Sequence, residues 1–213
     1  MQELLEQPDV LLARVGAVRV ALAATAGRSV EEIELKLAAS VAQLGLVARL
    51  IAPGLAVAAL TGRPLASELP MLWWQDELGG PFPLSVAEPL PVGPASRPAG
   101  RDGGETQLID GPVAALTSAV ASLIAVSGRV LWGNVASALN SATNLAANQR
   151  PDLAARLYAI GTATLADPRL ASEPGVPGPA FRRTSCCLIY RAAPPGPAGS
   201  APVCADCVLA GRN

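Results

Sequence analysis

The sequence predicts a mainly α fold (α+β, with one small β-hairpin): a helical domain followed by an irregular C-terminal cysteine segment. Three observations predict it. Apolar residues recur three and four positions apart through two long blocks, before Pro64 and after Asp110. Between the blocks, two short β-prone runs flank Gly79-Gly80. From Glu173 onward, prolines and glycines are too frequent for regular structure. Of 213 residues, 51% are hydrophobic and 15% charged, enough for one buried core and incompatible with disorder of the whole chain.

Asp9 is expected to cap a first helix that carries Leu11, Val15, Val18 and Leu22 on one face and stops at Gly27. Ser29-Val30-Glu31-Glu32 reads as a capping box, opening a long helix with Ile33, Leu37, Val41, Leu44 and Val47 on its apolar stripe. Pro53 is expected to break or kink that helix, and Gly62-Arg63-Pro64 to end it. Leu37 to Leu60 is apolar enough to raise the question of a membrane span. It contains Gln43, Arg49 and Pro53, however, and a charge near mid-span costs about 2.5–3.5 kcal/mol. Thr117 to Leu131 is shorter and interrupted by Arg129. Both read as buried helices, so an integral membrane protein is not expected.

Met71-Leu72-Trp73-Trp74 and Pro83-Leu84-Ser85-Val86 give the hairpin, near 71–87, and residues 88–106 read as a Pro/Gly-rich linker. The second block predicts helices from Pro112 to Val126 and from Arg129 to Ala147. A third begins at Pro151, where proline suits the first turn, and ends before Asp167-Pro168. The chain divides at this level into a helical domain, 1–172, and a cysteine segment, 173–213.

The formal net charge of -1 leaves no electrostatic footprint for nucleic acid. The acidic start, Met1-Gln2-Glu3-Leu4-Leu5-Glu6, lacks the basic region of a secretory signal, so a cytoplasmic location is expected. In a reducing compartment clustered thiols are more often metal ligands than disulfides. All four cysteines fall in the order Cys186-Cys187-(x16)-Cys204-Ala205-Asp206-Cys207. Four thiolates can close a tetrahedral zinc site or a two-iron cluster. A C-x2-C turn commonly points both sulfurs at one metal. Adjacent cysteines point apart, which suits a cluster with two separated metals better than one zinc ion. A strained Cys186–Cys187 disulfide is the redox alternative. With no histidine in the chain, histidine-held haem, Rieske ligation and histidine general bases are excluded. No P-loop or G-x-G-x-x-G is present, so electrons are expected from a separate donor, a ferredoxin or reductase.

The run Arg182-Arg183-Thr184-Ser185-Cys186-Cys187-Leu188-Ile189-Tyr190-Arg191, closing with Cys204-Ala205-Asp206-Cys207-Val208-Leu209, resembles the C-terminal signature of FhuF-like ferric siderophore reductases. Leu131 to Leu139 and Ala39 to Leu50 resemble two helices of that family. The family pattern is C-C-x10-C-x2-C. The longer spacer here, which includes Pro194 to Pro202, adds only roughly 0.4 kcal/mol of loop-closure entropy.

The resemblance implies a [2Fe–2S] cluster on Cys186, Cys187, Cys204 and Cys207, and one-electron reduction of Fe(III) in a siderophore, released as Fe(II). It also implies that the helical domain binds the ferric siderophore, with Trp132 and Asn134 lining the cleft. Arg182, Arg183 and Arg191, close to the ligands, would raise the cluster potential or attract an anionic iron complex. The competing expectations are a non-catalytic iron–sulfur carrier or sensor, and a structural four-cysteine zinc protein in siderophore metabolism.

Overall fold

The computed structural model describes residues 1–62, 65, 69–78, 84–86, 108–170, 172–173, 175–193 and 203–210. The expected Gly79-Gly80 turn, the 88–106 linker and the Pro194–Pro202 extension lie outside them.

A short helix, α1 (Glu3–Glu6), precedes α2 (Pro8–Ala26). Gln7, and not Asp9, is the N-cap of α2. Pro8 fills the first position, where a missing N–H costs nothing, and Asp9 places its charge in the first turn. Gly27 ends the helix in the left-handed conformation (φ 62°), and its N–H reaches the Ala23 and Ala24 carbonyls.

The capping box closes one turn too early to cap a helix. Glu32 accepts the Ser29 N–H at 2.8 Å, but the next helix, α3 (Leu35–Thr61), starts after Glu34, which makes no side-chain cap. Pro53 does not break α3. An interior proline costs ~3 kcal/mol, and here Ile51 and Leu55 on either side are fully buried, so packing offsets the missing bond. Gly62 then terminates the helix at φ 74°.

The hairpin pairs β1 (Leu72–Trp74) with β2 (Leu84–Val86), antiparallel, with Trp73 opposite Ser85. Leu72 faces the core and Trp73 faces outward. Three helices follow: α4 (Pro112–Leu123), α5 (Gly128–Gln149) and α6 (Ala154–Leu165), the last entered through a 3-10 turn at Pro151–Leu153. The fold is therefore mainly α with a small hairpin.

The long helix α3 lies at the centre, packed by α2, α4, α5 and α6. Among the described residues it alone is long and apolar enough to cross a membrane. In this bundle Leu37, Leu46, Val47, Ile51 and Leu55 of α3 are buried in the core, and its buried Ser40 and Gln43 are hydrogen-bonded to neighbouring helices and to the tail. The tail returns to the bundle through a two-residue ladder, β3 (Ser172–Glu173) with β4 (Arg182–Arg183), and β4 lies against α5.

Candidate metal centre

The cysteine segment has little secondary structure, and side-chain bonds to the helices hold it. Ser185 Oγ donates to the Arg129 carbonyl at 2.8 Å. This contact needs Gly133 on α5: a Cβ there would stand 2.1 Å from Ser185 Oγ. Two residues on, Ser40 Oγ donates to the Cys187 carbonyl at 2.9 Å, tying the adjacent cysteines to α3. Leu188 then turns the chain with φ 72°, a conformation that costs a non-glycine residue about 1–2 kcal/mol. The turn directs the Leu188 N–H at Cys186 Sγ, 3.3 Å away. The 3-10 turn Ile189–Arg191 is fastened by Arg28, which donates to the Arg191 carbonyl, and by the Arg191–Glu34 ion pair.

The second cysteine pair closes its own turn, with the Cys207 N–H donating to the Cys204 carbonyl at 3.0 Å. The two turns meet because the Arg183 N–H donates to the Asp206 carbonyl at 3.1 Å. Four free thiols result, arranged as two close pairs. Cys187 Sγ lies 3.4 Å from Cys204 Sγ, and Cys186 Sγ lies 4.0 Å from Cys207 Sγ. Each pair thus takes one sulfur from the C-C step and one from the C-x2-C turn. The C-x2-C cysteines do not share a partner, contrary to the usual role of that spacing.

Two thiolates on one tetrahedral metal, with metal–sulfur bonds near 2.3 Å, stand about 3.7 Å apart. The observed distances bracket that value at both pairs. Among the described residues no three such donors converge as a single-ion site requires. Each pair therefore offers two thiolates at the spacing that one metal takes. Backbone donors complete the site, as the Leu209 N–H points at Cys207 Sγ from 3.4 Å.

The Cys187–Cys204 pair shares a proton unevenly. The Cys204 S–H bond to Cys187 pulls the Cys187 thiol down to about 6, against its burial and with help from the Ile189 N–H and the Arg183 charge. Donating that bond, together with burial, pushes Cys204 up. Burial pushes Cys186 up to about 11.

Arg183 anchors the site from below, at 2% exposure. Its Nη1 donates to Asn134 Oδ1 at 3.0 Å, and its Nη2 to Ser137 Oγ at 3.0 Å and Asp206 Oδ1 at 2.9 Å. Burial opposes its charge, yet the Asp206 carboxylate and the Cys187 and Cys204 sulfurs hold its pKa above the ordinary value. Asn134, fully buried, passes the network to α3 by donating to the Ser40 carbonyl and hydroxyl and to Gln43 Oε1. Gln43 in turn donates to Thr117 Oγ1 on α4.

Residues 183–209 match the family model described as the FhuF 2Fe-2S C-terminal domain. This segment is similar to the [2Fe–2S] domain of the FhuF family. No curated protein and no solved structure matches the chain. The FhuF match begins at Arg183 and takes in all four cysteines and Asp206.

The structure distributes the other candidate residues widely. Arg183 lies beneath the cysteines, and Asn134 reaches Arg183 from the interior without facing solvent. Arg182 and Arg191 are exposed on the cysteine segment. Trp132 lies under the Arg169 guanidinium, 4.8 Å from ring centre to charge, and Arg169 is also bound by Asp110 and Asp167. Sequence reading assigned no role to Ser40, Gln43, Gly133, Ser137 or Asp206. Their one sequence signal was polar side chains at Ser40 and Gln43, three apart in an otherwise apolar helix. A cavity of about 370 Å³ opens beside Cys204, walled by Leu22, Ala26, Ile189, Ala192 and Val203.

Proposed function

We propose that Cys187 and Cys204 hold one iron of the cluster, that Cys186 and Cys207 hold the other, and that the protein is a ferric siderophore reductase. When bound, the cluster supplies one electron to Fe(III) in the siderophore, which leaves as Fe(II), a poorer match for hard oxygen donors. The observation that carries this reading is the two-by-two pairing of four free thiols inside a segment similar to the FhuF [2Fe–2S] domain. Cys204 forms part of the wall of the apolar cavity and offers a short route between cluster and a ligand seated there. Arg182 and Arg191 add positive charge to the surface of the same segment, which favours approach of an anionic ferric complex. The buried Arg183–Asn134 network fixes the two cysteine turns and takes no part in substrate contact. The electron donor is a separate ferredoxin or reductase, and the location is cytoplasmic.

The test is anaerobic purification with iron, sulfide and zinc analysis, followed by mixing reduced protein with a ferric siderophore and a ferrous trap. A coloured protein with two irons and two sulfides, and formation of the trapped ferrous complex, are expected. A colourless zinc protein overturns the cluster assignment. A coloured protein that transfers no electron overturns the reductase assignment and leaves an iron–sulfur carrier.

A further inference from the structure

We infer that Arg183 donates its Nε–H to a sulfur of the cluster and thereby makes the cluster easier to reduce. The inference rests on the cluster assignment above. Arg183 is 2% exposed, and its Nη1 and Nη2 are taken by Asn134, Ser137 and Asp206. Its Nε is buried and has no partner among the described residues. A buried guanidinium N–H without an acceptor is expensive, so its persistence calls for an acceptor at that edge. Three anchors fix the plane of the guanidinium, and that fixes the direction of the Nε–H as well.

The same arginine acts by charge on Cys187 and on Cys204. The principal influences on Cys186 are burial, the Leu188 N–H, Cys207 and Cys187. The described direct donors at the Cys186/Cys207 end are the neutral backbone N–H groups of Leu188 and Leu209. Reduction adds one electron to the cluster, breaks no bond and takes up no proton. It makes the sulfurs more negative, so a charge-assisted N–H bond strengthens on reduction and favours the reduced form. Asp206 offsets part of the arginine's charge and keeps it from being an isolated buried ion.

Two measurements on the cluster-loaded protein test this. The reduced cluster is paramagnetic, so protein labelled with 15N at arginine Nε is examined by pulsed EPR. A nitrogen coupling is expected in the wild type and should vanish in Arg183→Lys, which keeps the charge but lacks that N–H. Mediated redox titration of Arg183→Gln should show a reduction equilibrium at least tenfold less favourable, about 59 mV for one electron. Arg183→Lys should fall between the two, and the exposed neighbour Arg182→Gln should stay within about twofold of wild type. Absence of arginine coupling in the wild type overturns the inference, as does an intact Arg183→Gln cluster that reduces like the wild type. Should Arg183→Gln lose its cluster, the labelled wild type and Arg183→Lys decide. A protein with no iron–sulfur chromophore defeats the cluster assignment itself, whereas a chromophore without coupling defeats this inference alone.

Discussion

Replacing Gly133 by Ala measures how tightly α5 and the cysteine segment are fitted. Two effects oppose each other. Alanine in place of glycine in a helix interior gains about 1 kcal/mol. Against this, the new Cβ would stand 2.1 Å from Ser185 Oγ, closer than any real contact allows. The hydroxyl must leave, losing its bond to the Arg129 carbonyl, worth about 1 kcal/mol. The crowding that remains costs a further 1–3 kcal/mol or so. Gly133→Ala should therefore destabilise by about 1–3 kcal/mol. Ser185→Ala alone should cost about 1 kcal/mol. The double variant removes the obstructing oxygen. Its two methyl carbons then meet at about the 3.5 Å separating the new Cβ from Ser185 Cβ, an ordinary contact. Helix gain and lost bond then nearly cancel, leaving stability close to wild type and a coupling of about 2 kcal/mol or more. Thermal unfolding of the loaded protein, followed by circular dichroism and cluster absorbance, reads this out. About 2–4 °C per kcal/mol is expected at this size. A Gly133→Ala protein as stable as wild type refutes the reasoning. So does a double variant that loses the sum of the two single losses.

Asn134→Leu should cost about 3–5 kcal/mol and weaken cluster retention, because it strips a partner from the buried Arg183 and leaves Gln43 Oε1 without its Asn134 donor; a loss below about 1 kcal/mol in urea unfolding counts against the network. In metal-free reduced protein, Cys187 should be anionic at pH 7 while Cys204 stays protonated. Thiolate ultraviolet absorbance should show one midpoint near 6, and no thiolate below pH 8 would contradict the pairing. Arg169→Ala removes the cation over Trp132 and the pairs to Asp110 and Asp167. With Arg169 a third exposed, it should cost about 1–2 kcal/mol. Ferric siderophore reduction should persist in this variant, and a large drop would place substrate at the Trp132 face.

Much of the helical frame was legible from periodicity, because burying one face of each helix leaves a mark every three or four residues. Leu11, Val15 and Val18 on α2, and Leu37 and Val47 on α3, are buried as their spacing requires. Errors fell where local rules compete. The Ser29–Glu32 bond formed but capped no helix, and of the break or kink expected at Pro53 the break is absent, because packing around Ile51 and Leu55 outweighed a local penalty.

The sequence alone determined that four thiols would gather at one end of the chain, since their number, their order and the absence of histidine are properties of composition and spacing. Which thiol faces which was decided only by tertiary structure. Residues near in sequence do not fix the relative placement of two turns separated by sixteen residues. That placement comes from α3 and α5, through Ser40 on Cys187, Gly133 beneath Ser185, and Asn134 and Ser137 around the Arg183–Asp206 pair. Buried polar bonds specify position because each one left unmade costs more than a mismatched apolar contact.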